Sequence, residues 1–196
     1  MSSASISRTR TAVLDAALQV FSERTVAGTT VPAISERAGV AVGTLYRHWP
    51  SKEALANAVY RQAKELFAEY LHRGAAGRAP ADPEQLREAF EAMWDNLTAF
   101  AAEQPDALVF VEHQQHAGYL DEESRRLAER VDQMGADLIR AGQRLGLFRQ
   151  TDPRLLTTMV FGVYVQLSKA HRAGSAALDA DAWTEAREAV WSLLSR

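Results

Sequence analysis

The sequence predicts an all-α protein of about nine helices, in which an N-terminal three-helix head precedes a larger helical body. Apolar residues recur at helical spacing along the chain, and no segment alternates apolar and polar residues as a half-buried strand does. With 47% hydrophobic and 24% charged residues, the 196-residue chain has the composition of a packed globular protein. We place the head at residues 1–52 and the body at residues 53–196.

The first predicted helix carries one apolar stripe. Val13, Ala17, Val20 and Phe21 occupy positions i, i+4, i+7 and i+8, which share one face of an α-helix. Gly28 closes the segment. The stripe indicates that this helix packs against the elements that follow it.

Two short helices joined by a tight turn come next. Thr30 is placed to cap the first of these two short helices. The first turn of that helix tolerates a proline because the early amides of a helix have no intrahelical acceptor. Gly39 lies where the turn requires a residue free to adopt a positive φ angle. The second helix is expected from about Ala41 to His48, with Leu45 pointing inward. Together they form a helix-turn-helix, whose second helix can enter the major groove of DNA.

The remaining helices are recognised by their apolar spacing and by residues that start or stop a helix. Ser51 is expected to cap a fourth helix that runs toward Gly74, and residues 73–83, rich in Gly, Ala and Pro, are expected to be a connection. Gly146 is expected to stop one of the later helices. The later starts are predicted at Asp82 with Pro83, at Pro105, at Asp121, at Asp152 with Pro153, and at Asp179 or Asp181.

Several classes of protein are excluded by what the sequence lacks. It has no cysteine, which removes disulfides and thiolate chemistry and suits a reducing cytoplasm, where we expect the protein to be located. No segment approaches the roughly 18 consecutive apolar residues of a membrane helix, so we expect no membrane partner. Common enzyme and nucleotide-binding motifs are absent, so we expect neither an enzyme nor a cofactor.

Charge is distributed unevenly along the chain. Seven basic residues and four acidic ones precede Ala63, a net charge of +3, whereas fifteen basic and twenty-one acidic residues follow, a net charge of −6. A basic end on an acidic body is the pattern expected if only that end meets a polyanion.

The helix-turn-helix and the residues after it carry a set of residue types at fixed spacing. They are Gly39, Val40, Gly43, Thr44, Leu45, Tyr46, Arg47, His48, an aromatic residue at Trp49, Pro50, Ser51, Lys52, Glu53 and Leu55. Agreement at many positions with fixed spacing is more specific than a short motif. Through these positions, and over residues 12–59 as a whole, the sequence resembles the tetracycline-repressor-like (TetR) family of regulators.

The resemblance implies a set of residues that contact double-stranded operator DNA. Lys52 lies in the first turn of a helix, where the macrodipole disfavours a cation, so a phosphate partner would explain its placement better than a structural role. Two positions depart from the family: Ala41 replaces a common capping Ser or Thr, and Trp49 replaces the usual phenylalanine. The implied phosphate contacts are Thr30, Tyr46 and Lys52, and the residues implied at the groove or its rim are Val42, Gly43, Thr44, Arg47 and His48.

The resemblance also implies a pocket for a small-molecule effector among the middle helices. Taken singly, each apolar residue there is as well explained by ordinary core packing. A metal site at Glu112, His113 and His116 is poorly supported because two histidines and an acid on another helix face make a weak ligand set, and we predict no metal. The candidate effector residues are Met93, Trp94, Leu97, Phe110, His113, Met134, Phe161 and Tyr164.

The last two helices are more apolar than one inner face needs, which predicts a homodimer formed through them. The residues concerned include Met159, Phe161, Tyr164, Leu167, Trp183, Val190, Trp191 and Leu194.

With this resemblance, we expect a repressor of transcription whose dimer binds a palindromic operator and is released when a small, largely apolar ligand moves the fourth helix. The alternative is a helical ligand-binding or interaction module without DNA activity. Arg8 and Arg10 are either a frayed charged terminus or an arm that touches DNA.

Overall fold

The computed structural model describes residues 3–74, 79–116 and 118–196, and it describes their side chains except those of residues 3–6 and 113. Within these ranges the chain forms nine α-helices, in agreement with the all-α prediction. The first four are α1 (Ser3–Arg24), α2 (Val31–Ala38), α3 (Val42–His48) and α4 (Lys52–His72). The others are α5 (Pro83–Glu103), α6 (Pro105–Leu108), α7 (Glu122–Arg144), α8 (Pro153–Arg172) and α9 (Ala180–Leu194).

Four of the predicted helix starts are confirmed by capping hydrogen bonds, whereas the side chain of Thr30 at the start of α2 makes none. The Asp82 carboxylate accepts from the backbone N–H of Gln85 at 2.9 Å, and Asp121 accepts from that of Ser124 at 2.9 Å. Asp152 caps α8 in the same way at 2.7 Å. At α9 the prediction left two candidates, and it is Asp179 that accepts from the N–H of Ala182. Each cap satisfies an amide that the first helical turn leaves without a partner.

The helix predicted to start at Pro105 is not one continuous α-helix. Four residues form α6, and a π-helical turn over Val109–His113 (hereafter the π turn) follows it directly. Such turns widen the helix by one residue and are frequent at functional sites. None of the helices in the described ranges is long and apolar enough to cross a membrane.

The chain divides into two compact units that are not contiguous in sequence. Unit 1 comprises Met1–Leu66 and Gln104–Leu127, and unit 2 comprises Phe67–Glu103 and Ala128–Arg196. Both α4 and α7 therefore contribute residues to each unit. In this division α6 and the π turn belong to the same unit as the N-terminal helices, and the functional boundary between residues 52 and 53 stays a prediction.

Unit 1 has its core along the stripe predicted on α1. Val13, Ala17 and Phe21 are completely buried, and Ile34 of α2 and Leu45 of α3 are buried as well. The π turn closes this core, where the ring of Phe110 stacks on that of Phe21 with a centroid separation of 5.6 Å. Burial of these side chains from α1, α2, α3 and the π turn holds unit 1 together.

Unit 2 is held together by aromatic residues from α5, α8 and α9. The indole N–H of Trp94 donates to the carbonyl of Trp183 at 3.0 Å, and the hydroxyl of Tyr164 donates to the carbonyl of Leu97 at 2.9 Å. Trp191 packs edge-on against Phe90 and Phe148, each at 5.1 Å. These contacts weaken the sequence argument for a dimer interface at α8 and α9, because many of the apolar side chains on which it was based are buried inside unit 2 itself.

Candidate nucleic-acid interface

The turn between α2 and α3 has the geometry that the sequence predicted. Gly39 adopts the left-handed conformation with φ of 65°, and its N–H donates to the carbonyl of Glu36 at 3.1 Å. The backbone N–H of Val40 donates to the carbonyl of Ser35, and the Ser35 hydroxyl donates in return to the carbonyl of Val40. This reciprocal pair orients α3 relative to α2. It is a contact that sequence reasoning missed.

Helix α3 buries one face and exposes the other. Leu45 is 2% exposed and Trp49, which ends the helix, is 5% exposed. On the opposite face Val42 is 37% exposed and Tyr46 is 51% exposed, large fractions for side chains of this size. Of the other predicted groove residues, Gly43 and Arg47 are exposed, and Thr44 and His48 are half-buried.

The start of α3 has no side-chain cap, as expected for Ala41. Its backbone is extended, and no hydrogen bond from a side chain satisfies the first amides of α3. Free amides at the start of a helix are donors for an anionic ligand. Helix α3 has only seven residues, however, and the dipole of so short a helix is small. We therefore assign no separate anion site to its N-terminus.

Lys52 has a structural partner that the sequence did not reveal. Its ammonium donates to the backbone carbonyl of Thr29 at 2.9 Å, across a sequence separation of 23 residues. A structural role for this lysine, which the sequence made the weaker explanation, is therefore observed, and its phosphate contact stays a prediction. The contact also places the cation at the residue before Thr30, the exposed N-cap of α2. Two of the three predicted phosphate contacts consequently lie beside each other.

The N-terminal arginines lie in a helix. Both Arg8 and Arg10 belong to α1, which contradicts a frayed terminus, whereas contact of these residues with DNA stays a prediction. The guanidinium of Arg10 lies over the ring of Trp49, with its central carbon 5.6 Å from the ring centroid. Arg10 of α1 therefore lies next to the end of α3.

A second polar cluster of unit 1 was not predicted as such. Lys64 of α4, with 6% of its side chain exposed, forms an ion pair with Glu112 of the π turn at 2.7 Å. Asn57 of α4 donates to the carbonyl of Tyr119 and accepts from the N–H of Asp121. We call these residues, together with His116, the α4 junction. The ion pair of Lys64 and the two hydrogen bonds of Asn57 named above span 48 to 64 positions, too far apart for local sequence patterns to show.

His116 of the α4 junction is buried and neutral. One ring nitrogen, Nε2, faces the carbonyl of Phe110 and must donate to it, so Nδ1 accepts from the hydroxyl of Tyr119. Burial lowers the pKa of His116, and the nearby Lys64 lowers it further. Burial also raises the pKa of Tyr119, which keeps the hydroxyl protonated for this hydrogen bond.

Two residues of the poorly supported metal site have other partners. Glu112 is held by Lys64, and His116 is held by Phe110 and Tyr119. The side chain of His113 lies outside the described part of the chain. Among the residues that are described, no group of three or more metal-ligating side chains converges.

The predicted effector residues belong to both units. Phe110 is in unit 1, stacked on Phe21, and His113 is in the same unit. Trp94, Leu97 and Tyr164 are fully buried in unit 2. Met93, Met134 and Phe161 are half-buried side chains of the same unit. An effector site at these residues stays a prediction.

Two family models together cover nearly the whole chain. Residues 13–59 match the model described as bacterial regulatory proteins, tetR family, and residues 57–195 match that of the tetracyclin repressor-like C-terminal domain. The chain belongs to the TetR family. It is therefore a DNA-binding transcriptional regulator, and the helix-turn-helix of α2 and α3 is the DNA-binding element of such a regulator.

Individual TetR-family relatives agree with this assignment. The chain is 32% identical to the HTH-type transcriptional repressor KstR2 of Rhodococcus jostii over 144 residues, which cover 71% of this chain and 68% of that protein. A solved TetR family protein from Vibrio parahaemolyticus superposes with a TM-score of 0.77 at 26% identity and covers 96% of this chain and 99% of its own.

The fold is also that of AibR, solved in complex with isovaleryl coenzyme A and operator DNA. The TM-score is 0.75 at 17% identity, and the match covers 95% of this chain and 98% of that one.

Proposed function

We propose that this TetR-family regulator is a repressor that binds a palindromic operator as a homodimer and is released by a small, largely apolar effector. One observation carries the proposal. Among the described residues the exposed large hydrophobic side chains are confined to two helices, with Val42 and Tyr46 on α3 and Leu155 and Met159 on α8. Each pair is spaced i, i+4 and forms one stripe, a pattern that favours two separate partners.

The α3 stripe supports the DNA half of the proposal. A major groove about 12 Å wide admits one helix, and the small Gly43 beside Val42 allows its backbone to come close. Arg47 is exposed and forms no ion pair with any carboxylate of the described residues, so its guanidinium is available for base edges or phosphates. Val42 and Thr44 are suited to thymine methyl groups rather than to bidentate hydrogen bonds.

The α8 stripe supports the homodimer. Leu155 is 52% exposed and Met159 is 41% exposed, and Gly162 continues the same face one turn later. A Cβ atom added at Gly162 would meet nothing within 4 Å, so nothing inside the protomer requires a glycine there. Glycine in a helix interior lowers the stability of the helix, and this cost is offset where another backbone packs close to it. We assign the close partner to α8 of a second copy, as a two-fold interface would bring the same helix to itself.

The effector half rests on unit 2. Of the candidate effector residues in unit 2, three are half-buried: Met93, Met134 and Phe161. An apolar ligand that packs against these side chains would bury more of their surface. Such a ligand releases DNA only if it binds better to a conformation with the wrong spacing of the two recognition helices. AibR, of the same fold, was solved with an acyl coenzyme A. Acyl thioesters are therefore the first ligand class to test.

The experiment combines oligomeric state with DNA binding. Light scattering should give a dimer for the wild type, and a gel shift on the intergenic DNA beside the gene should give one complex that contains two protomers. Met159→Arg should yield a monomer that has lost most operator affinity, because two half-sites ~34–36 Å apart require two linked recognition helices. Ala92→Arg, which adds the same charge at an exposed position of α5, should remain dimeric and bind normally.

A wild-type monomer, or a dimer that binds no duplex at low salt, would overturn the proposal. For the effector, acyl coenzymes A of increasing chain length should dissociate the operator complex, and an apolar ligand extracted from the purified protein should do the same. If none of these ligands changes the complex, the effector half fails while the repressor half stands.

A further inference from the structure

We infer that Arg10 is an additional DNA-phosphate contact, held in place by Trp49 at the end of the recognition helix. The inference rests on the proposed operator binding and extends the DNA-binding surface from α2 and α3 to the first turns of α1. It concerns a residue that neither the helix-turn-helix motif nor the family models include, since the N-terminal model begins at residue 13.

The position of Arg10 follows from the buried stripe of α1. Arg10, Val13 and Ala17 are spaced i, i+3 and i+7, so they lie on one face of the helix. Val13 and Ala17 are completely buried, whereas Arg10 is exposed. Arg10 therefore lies on the face of α1 that carries the stripe, at the end where that face is exposed.

The neighbour of Arg10 is Trp49, the residue that caps the C-terminus of α3. Its guanidinium carbon is 5.6 Å from the centroid of the Trp49 ring, within the range of a cation–π contact. The ring of Trp49 in turn packs on that of His48 at 5.5 Å. Arg10 is thus connected to two consecutive residues at the end of the helix that enters the groove.

The charge of Arg10 is left for an external anion. Among the described residues Arg10 forms no ion pair, and its guanidinium contacts the ring of Trp49. Arg37, one helix away, contrasts with it, because its guanidinium is bound by Glu23 at 3.1 Å. An aromatic ring restricts an arginine side chain without neutralising it, whereas a carboxylate does both. Arg10 is therefore ordered and still cationic.

Duplex DNA is the partner that this arrangement fits. Phosphates flank the groove on both sides of an inserted helix, and most protein contacts to DNA go to them. A planar guanidinium with its own charge uncompensated matches a phosphate bidentately. Trp49 strengthens the platform, since tryptophan binds cations better than phenylalanine does. We therefore assign Arg10 to the DNA backbone rather than to base edges.

The test measures affinity against salt for the full-length protein. Arg10→Gln should bind the operator about tenfold more weakly at low salt and reduce the slope of log K against log salt by about 0.9 per protomer, as expected for one lost phosphate contact. Arg10→Lys should retain the slope. Arg144→Gln, an exposed arginine of α7 in unit 2, changes the net charge equally and should leave both quantities unchanged.

Trp49→Phe tests the role of the ring. It should lose part of the affinity in the wild-type background and little or none in the Arg10→Gln background, because the two residues act as one unit. Thermal unfolding checks that each variant is folded. If the Trp49 variant fails to fold, the comparison of Arg10→Gln, Arg10→Lys and Arg144→Gln still decides.

Three results would overturn the inference while leaving the proposed function intact: an unchanged salt slope for Arg10→Gln, an equal loss for Arg144→Gln, or a loss confined to the operator and absent on a scrambled duplex. The last would identify a base contact. If the wild type itself binds no duplex, it is instead the proposed function that has failed.

Discussion

Two surfaces of unit 1 use their basic residues in opposite ways. At the α4 junction, Lys64 is paired with Glu112 and Arg61 with Asp121 at 2.9 Å. Around α3, Arg10 and Arg47 form no ion pair within the described part of the chain, and Lys52 meets only a backbone carbonyl. The same kind of side chain is thus neutralised where it holds helices together and left charged where the family binds DNA.

The difference shows which cations serve stability and which serve binding. A charge that is buried in the fold must be paired because its desolvation is costly. A charge that is to meet a polyanion must stay hydrated and uncompensated until the partner arrives. Substitutions at the α4 junction should therefore affect unfolding, and substitutions around α3 should affect DNA binding with little change in stability.

The largest effect is expected at the buried ion pair. Lys64→Met leaves the Glu112 carboxylate buried without its partner, and we expect a loss of about 3–5 kcal/mol in the free energy of unfolding, measured by urea denaturation. Adding Glu112→Leu should recover most of the loss, because an apolar pair of similar volume often replaces a buried ion pair at little cost. If the double variant is as unstable as the single one, the pair is more than a charge-neutralising contact.

Arg47 should show the converse behaviour. Arg47→Ala should weaken operator binding by about 1–3 kcal/mol and relax the preference for operator over scrambled DNA, provided that Arg47 reads a base. Its free energy of unfolding should change by less than about 0.5 kcal/mol, since the side chain is exposed. Fluorescence anisotropy on the two duplexes measures the first effect. An equal loss on both would reassign Arg47 to the phosphates.

His116 should make the α4 junction sensitive to acid. Its pKa in the fold is lowered by burial from an ordinary value of 6.5, so the unfolded chain binds its proton first as the pH falls. Stability is therefore complete above pH 6.5 and declines below it, by at most about 1.4 kcal/mol per pH unit. His116→Gln, which can donate to Phe110 and accept from Tyr119, should flatten urea-unfolding data between pH 7 and about 5.5. Parallel wild-type and variant curves would refute this.

Gly43→Ala is expected to have a small effect, with opposite signs for folding and for DNA binding. A Cβ atom there meets nothing within 4 Å, so Gly43→Ala should stabilise the fold by about 0.5–1 kcal/mol through helix propensity. Operator affinity should nevertheless fall, because the methyl group would occupy the space of a close DNA approach. Unchanged affinity would show that the backbone at Gly43 stays away from the duplex.

A contrasting glycine calibrates the Gly43 experiment. At Gly142 the same added atom would lie 2.1 Å from the ring of Phe148, so Gly142→Ala should lose about 1–3 kcal/mol of stability. The two variants together separate helix propensity from steric conflict.

Much of the fold was predictable because its signals are local. The caps at Asp82, Asp121 and Asp152 act on amides two or three residues away, and the left-handed Gly39 serves its own turn. The exposed face of α3 followed from the helical period. The DNA contacts assigned to that face stay predictions, as do the effector residues.

Contacts between distant residues were not predictable. Lys52 meets Thr29 and Arg10 meets Trp49 through packing of separate helices, and a sequence without aligned relatives gives no indication of such pairs. For the same reason the apolar residues of α8 and α9 were assigned to a dimer, although Tyr164, Val190 and Leu194 are buried in their own unit.

The amino-acid sequence alone determined where most of the helices begin, the presence of a helix-turn-helix and the family, because periodicity, capping and motif spacing all act over a few residues. Tertiary structure decided which cations are neutralised, which aromatic residues are core and which apolar stripes remain exposed. Those properties depend on what the rest of the chain brings within a few ångströms of each side chain, and the free energy of a charge or an apolar surface is set by that environment.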